Sequence, residues 1–191
     1  MIERAFSIFD RVVGAEPARF HPVDVLSKYK EINSGVVPEY IEKMIMLYPN
    51  WRHEILTPRE VGQLIWYFDK ENPNHISWKL TQGGKNRRVG QVARAYLSFK
   101  PESLASEWKE TSVIEGHIET LKRGGGLPPL IIVKGRRYPD SPDSSFIDGV
   151  HRSLAIVIYD LTTQDSNLEV DTYVGRKASL TERLIGRLTR G

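Results

Sequence analysis

Phe146-Ile147-Asp148-Gly149-Val150-His151-Arg152-Ser153-Leu154-Ala155 is the stretch on which the reading of this chain turns. A short apolar run stops at Asp-Gly, and a His-Arg pair opens a helix expected from Ser153 to Tyr159. A strand-to-helix corner of this kind leaves backbone N–H groups unpaired at the helix start, where the helix dipole favours an anion. Gly149 lets the backbone come close to a ligand, and the guanidinium fork of Arg152 suits a phosphate. The local chemistry therefore suggests a phosphate-binding site, with Gly149 and Arg152 as its candidate residues. The same letters also describe an ordinary Asp-Gly turn, with a solvated arginine and a histidine that closes the corner.

The surroundings of this stretch read as α/β. Leu130 to Val133 is a short buried strand, Gly135 to Ser144 a polar turn, and Ser145 to Ile147 the next strand. Leu168 to Val174 alternates apolar and polar residues as a strand does. Ser112 to Arg123 reads as a helix with Val113, Ile114, Ile118 and Leu121 on its apolar face. Gly124-Gly125-Gly126 ends it, and Pro128-Pro129 prevents its resumption. Ser179-Leu180-Thr181-Glu182 is a capping box, and Leu180, Leu184 and Leu188 mark a terminal amphipathic helix.

The first third reads as helical. One helix follows Pro38, with Ile41, Met44, Ile45 and Tyr48 on one face, and closes at Pro49. A second is announced by Thr57-Pro58-Arg59-Glu60, an N-cap with proline at the first helical position and glutamate at the third. Val61, Leu64, Ile65 and Phe68 then follow at helical spacing, while Trp51, Trp66 and Tyr67 read as packing aromatics. Beyond Pro73 the expectations are a strand at His75 to Leu80, a basic loop at Thr81 to Gly90, a strand at Ala93 to Phe99 and a short helix at Pro101 to Trp108. The expected organisation is an N-terminal helical region over 1–75, an α/β (α+β) domain over 76–175 and a basic C-terminal helix over 176–191.

Hydrophobic residues make up 40% of the chain and charged ones 27%, the balance of a globular domain. No apolar run approaches the roughly 18 residues that cross a bilayer, so no membrane partner is expected. Met1 to Arg11 lacks the apolar core of a signal peptide, and a cytoplasmic location is expected. The absence of cysteine excludes disulfides, thiolate metal sites and cysteine catalysis. The net charge is +3 but uneven. Lys85-Asn86-Arg87-Arg88, Lys134-Gly135-Arg136-Arg137 and the tail residues Arg176, Lys177, Arg183, Arg187 and Arg190 form three basic clusters. Each is a solvated surface on its own, and together they are a candidate footprint for DNA phosphates.

Read together, the helix stopped by Gly124, the strand Pro129-Leu130-Ile131-Ile132-Val133 and the box Asp148-Gly149-Val150-His151-Arg152 resemble the ParB/sulfiredoxin superfamily over about residues 110–174. The resemblance implies a small mixed sheet with packed helices, here carrying an N-terminal helical extension. Sulfiredoxins place their catalytic cysteine where this chain has Val150, so sulfinic-acid reduction is ruled out. ParB partition proteins carry Gly-Glu-Arg-Arg at the box and a helix-turn-helix domain after it. Gly149-Val150-His151-Arg152 departs from that pattern, and centromere recognition is not expected. Compact members with a His-Arg box include nucleotide-dependent kinases and plasmid-encoded fertility-inhibition factors of the bacterial cytoplasm.

What the resemblance implies is an ATPase with ATP and Mg²⁺ as cofactors, a metal-dependent DNase activity, and inhibition of conjugative or T-DNA transfer. Nucleotide, DNA and a conjugation or secretion coupling protein are the implied partners. The nucleotide would be bound by Asp148, Gly149, Val150, His151, Arg152 and Ser153, where Arg152 would clamp phosphate and His151 would hydrogen-bond it or move a proton. Asp148 would hold the metal, or else accept backbone hydrogen bonds in its turn. Glu115 and Glu119 lie one helical turn apart and are candidates for general base or second metal ligand, against a solvated helix face. His117 is offset by two residues from Glu115 and is set aside as a metal ligand with it. A non-catalytic nucleotide- or DNA-binding module and a small-molecule kinase are the alternative readings.

Overall fold

The computed structural model describes residues 19–33, 35–66, 80–81, 88–99, 111–134, 144–164 and 167–176. In chain order they form β1 (Arg19–Phe20), α1 (Pro22–Ile32), α2 (Glu39–Met46), β2 (Asn50–Leu56), α3 (Pro58–Val61), α4 (Val89–Ser98), α5 (Thr111–Lys122), β3 (Leu130–Lys134), β4 (Ser144–Asp148), α6 (Val150–Thr163) and β5 (Val170–Arg176). The strands make one mixed sheet in the order β1-β2-β5-β3-β4. Only β3 and β5 run parallel; the other neighbours are antiparallel.

Strand β3 lies between β5 and β4, and its run of four apolar residues is buried on both faces, as a central strand demands. Leu130 and Ile132 join Phe146, Val170 and Val174 against Val92, Ile114, Ile118, Leu154 and Val157 of the helices on one side. Ile131 and Val133 join Ile147, Tyr173 and Trp51 against Val25, Leu26, Ile41 and Ile45 of α1 and α2 on the other. The sheet is thus sandwiched between two helical layers. Among the described residues no helix is long and apolar enough to cross a membrane.

The expected strands at 130–133, 145–147 and 168–174 and the helix at 112–123 form with small shifts of boundary. Several expectations are corrected. Residues 50–56, placed in a helical region, form β2, which pairs with β5 from Asn50↔Arg176 to Leu56↔Val170. The N-terminal third therefore supplies two strands as well as helices to the shared sheet. The signal for β2 was weak because its alternating polar residues find partners only across the sheet, as His53 Nε2 does with Asp171 Oδ1 at 2.8 Å. Residues 93–98, expected as a strand, belong to α4. The short alternation at Ala93 to Leu97 conceals a helical repeat that begins earlier, with Val89, Val92, Ala93 and Tyr96 buried. Helix α3 starts at the expected box, with Thr57 N–H donating to Glu60 Oε2 at 2.8 Å, but it ends at Val61 and a turn then places Leu64 in the core. Val113 faces outward, 45% exposed, rather than into the core. Trp51 and Trp66 are buried as expected. The expectations that fall on residues 1–18, 67–79, 82–87, 101–108, 135–143 and 177–191, Tyr67 and Phe68 among them, lie outside the described residues.

Trp51 lies opposite Gly175 in the β2–β5 pairing, and its indole Nε1 donates to the Ile45 carbonyl at 3.3 Å. A Cβ on residue 175 would meet the indole Cη2 and Cζ2 at 2.8 Å. Gly175→Ala is expected to cost about 1–3 kcal/mol through overpacking, read as a lower urea midpoint. Trp51→Phe removes those two ring atoms, so the cost of Gly175→Ala is expected to shrink in that background, and equal costs in both backgrounds would contradict the packing account.

Candidate functional site

Strand β4 ends at Asp148, and the chain turns into α6 through Gly149 in a left-handed conformation, φ +96°. Glycine is needed there twice over. A side chain at positive φ is strained, and a Cβ would come within 2.7 Å of Leu130 Cδ2. That close approach seats the start of α6 directly on β3. Among the described residues no side chain caps the helix, whose first N–H groups present the positive end of its dipole.

The corner brings several of the expected residues together. Arg152 Nη2 donates to Asp148 Oδ2 at 2.9 Å and to the Pro129 carbonyl at 3.1 Å. Its Nε is buried without a hydrogen-bond partner among the described residues. Val150 and His151 sit half-buried in the same first turn. Ser153 is placed differently: it is fully buried, its N–H donates to the Gly149 carbonyl at 2.8 Å, and its hydroxyl donates to the Val150 carbonyl at 2.6 Å. Both of its donors are thus occupied inside the helix.

Two further residues lie within electrostatic reach of the corner: His117, set aside above as a metal ligand, and Tyr29, which the sequence did not single out. His117, half-buried on α5, has its pKa held below the ordinary histidine value by burial first, then by the positive charges of Arg152 and His151. It is therefore neutral at neutral pH. Tyr29 of α1 is pushed up to about 12 by burial first and then by the charge of Asp148 and the neighbouring Tyr40, with Arg152 acting in the opposite direction. Its hydroxyl end thus lies within electrostatic reach of the Asp148–Arg152 pair. One residue from each helical layer, Tyr29 of α1 and His117 of α5, thus feels the charges of the corner.

Glu115 and Glu119 do not join it. Glu115 Oε1 accepts from the Tyr96 hydroxyl at 2.8 Å, in a groove with Ile118, Ile158 and Thr162. Ile158 lies about 12 Å along α6 from its first residue, at 1.5 Å per residue. Burial, then the bond to Glu115, raises the pKa of Tyr96 well above the tyrosine range. Glu119 pairs with Lys122 at 2.7 Å on an exposed helix face, and that lysine lowers its pKa. The two-residue offset that separates His117 from Glu115 is what turns the imidazole toward α6 while the glutamate turns toward α4.

The donor set bears on the expected metal. Among the described residues no three His, Cys, Asp or Glu side chains cluster as cation ligands. Asp148 already answers the charge of Arg152. A Mg²⁺ ion here would be held chiefly by a ligand's own phosphate oxygens, as this ion often is. The chain matches no family model, and no curated protein and no solved structure matches it at a significant level.

Gly149→Ala is expected to destabilise the fold by about 1–2 kcal/mol from the left-handed backbone alone, and by more once the Leu130 contact is strained. Thermal unfolding checks it. The His117 shift sets a pH dependence: its folded value lies below the 6.5 of an unfolded histidine, so the unfolded chain takes up the proton first. The contribution of His117 to stability is present above pH 6.5 and lost as pH falls through and below it. His117→Gln is expected to flatten that part of the stability–pH curve, and an unchanged curve would remove His117 from the buried corner.

Proposed function

We propose that the corner of Pro129, Asp148 to Arg152 and His117 binds the phosphates of a nucleotide, and that the protein hydrolyses ATP there. The observation that carries the reading is a helix N-terminus without a side-chain cap among the described residues, set on β3 by Gly149 and backed by a mostly buried arginine whose Nε has no acceptor among them. Phosphate oxygens would take the α6 N–H groups and the guanidinium. His117, neutral at neutral pH and within electrostatic reach of Arg152 and His151, would take a proton from a water attacking the terminal phosphorus; the bond to the bridging oxygen breaks, and ADP and orthophosphate leave. His151 would hydrogen-bond the phosphate in the first turn. Mg²⁺ would arrive on the nucleotide. The resemblance of residues 110–174 to the ParB/sulfiredoxin superfamily adds DNA as a partner and inhibition of plasmid transfer as the biological outcome to the same proposal.

One observation favours a second reading, a binding module without turnover. The two glutamates that the resemblance offers as general base turn toward Tyr96 and Lys122 instead.

ATP binding and phosphate release separate the two. Arg152→Ala is expected to weaken nucleotide binding at least tenfold, the equivalent of about 1.4 kcal/mol. His117→Gln is expected to keep binding and lower turnover by about 10²–10⁴-fold, the usual span of a lost proton-transfer group. Nucleotide binding with no phosphate release in the wild type would select the module, and no binding of any nucleotide would overturn the proposal.

A further inference from the structure

The Asp148–Arg152 pair deepens the reading of the same corner and rests on it. The pair is not an ordinary pairing along a helix face, because Asp148 precedes the helix and Arg152 lies in its first turn. It forms because the left-handed Gly149 folds the strand end back beneath α6. The Arg152 side chain is 12% exposed and that of Asp148 25%, so the pair is mostly withdrawn from water and its charges are little screened. A guanidinium this buried is costly without a counter-charge. The carboxylate supplies one from a position at the start of a helix, where an anion is favoured.

We infer that Asp148 is an internal counter-anion that holds Arg152 in place and is displaced from the guanidinium when a phosphate binds. The Pro129 carbonyl, 3.1 Å from Nη2, keeps the arginine anchored to the start of β3 during the exchange. Nε, buried and without a hydrogen-bond partner among the described residues, is a donor that an incoming phosphate oxygen would satisfy. A ligand must therefore carry more negative charge than the carboxylate it replaces. That requirement favours the di- or triphosphate tail of a nucleotide over a simple carboxylate. It also gives Asp148 a role other than metal ligand: it positions Arg152 and sets the threshold of charge for binding.

Pyrophosphate titrated in the presence of EDTA is the probe, because it tests the anion site without a nucleotide base or a metal. Wild type, Asp148→Asn and Arg152→Ala are compared by calorimetry after circular dichroism has shown each to be folded. Asparagine keeps an acceptor oxygen for Nη2 and removes the competing charge, so Asp148→Asn is expected to bind pyrophosphate about tenfold more tightly than wild type. A purely structural aspartate would give the opposite sign. Binding by folded Asp148→Asn that is unchanged or weaker overturns the inference while leaving the phosphate site standing. Absence of binding in wild type and Asp148→Asn alike overturns both. A second measurement holds even where the variant does not fold: the Arg152 Nε–H signal of the wild type is expected to shift on addition of pyrophosphate, and a signal unmoved at saturation refutes displacement of the carboxylate.

Discussion

The rest of the structure depends on strand β3 being buried from both sides. Leu130 and Ile132 face one helical layer and Ile131 and Val133 the other, so a single short strand commits the chain to a sheet with helices above and below. Burying that many apolar side chains is worth about 2 kcal/mol for each, which explains why the neighbouring strands and helices are organised around it. Leu130 has a second task. Its side chain lies against Gly149, whose left-handed backbone at φ +96° suits glycine, and the candidate site is thereby fastened to the core rather than carried on a loop.

That attachment has chemical consequences. The bend that brings α6 down onto β3 also folds Asp148 beneath Arg152, and the carbonyl of Pro129, just before β3, supplies the second acceptor for the same guanidinium nitrogen. Strand end, helix start and the approach to the central strand therefore meet at one arginine. His117 and Tyr29 come to this point from opposite layers of the sandwich, and each has its acidity altered by the charges there. The corner is partly withdrawn from water, with the Arg152 side chain 12% exposed and that of Asp148 25%.

The parts of the fold that were legible in the sequence are those whose signal is local. The apolar run at Leu130, the glycine stop after α5, the Asp-Gly corner and the Thr57 capping box each rest on residues within a few positions of one another. Strand β2 was not legible, because its polar residues are matched by β5 more than a hundred positions away. Helix α4 was misread because five alternating residues mimic a strand when the preceding turn is left out. At the site, Asp148, Gly149 and Arg152 could be named from their order alone. Ser153 could not be discounted, since only the folded helix shows its hydroxyl and N–H both engaged.

The sequence by itself determined that a strand meets a helix at Asp148 to Arg152, that no thiol chemistry occurs there, and that a glycine, a histidine and an arginine gather at the helix start. Only the tertiary structure decided which other side chains face that corner. It turned His117 toward Arg152 and Glu115 toward Tyr96, although two positions separate them, and it brought Tyr29 across from the opposite layer. The physical reason is that a helix distributes neighbours in sequence around its circumference, while which part of that circumference meets which partner is settled by packing against a sheet whose strands come from both ends of the chain.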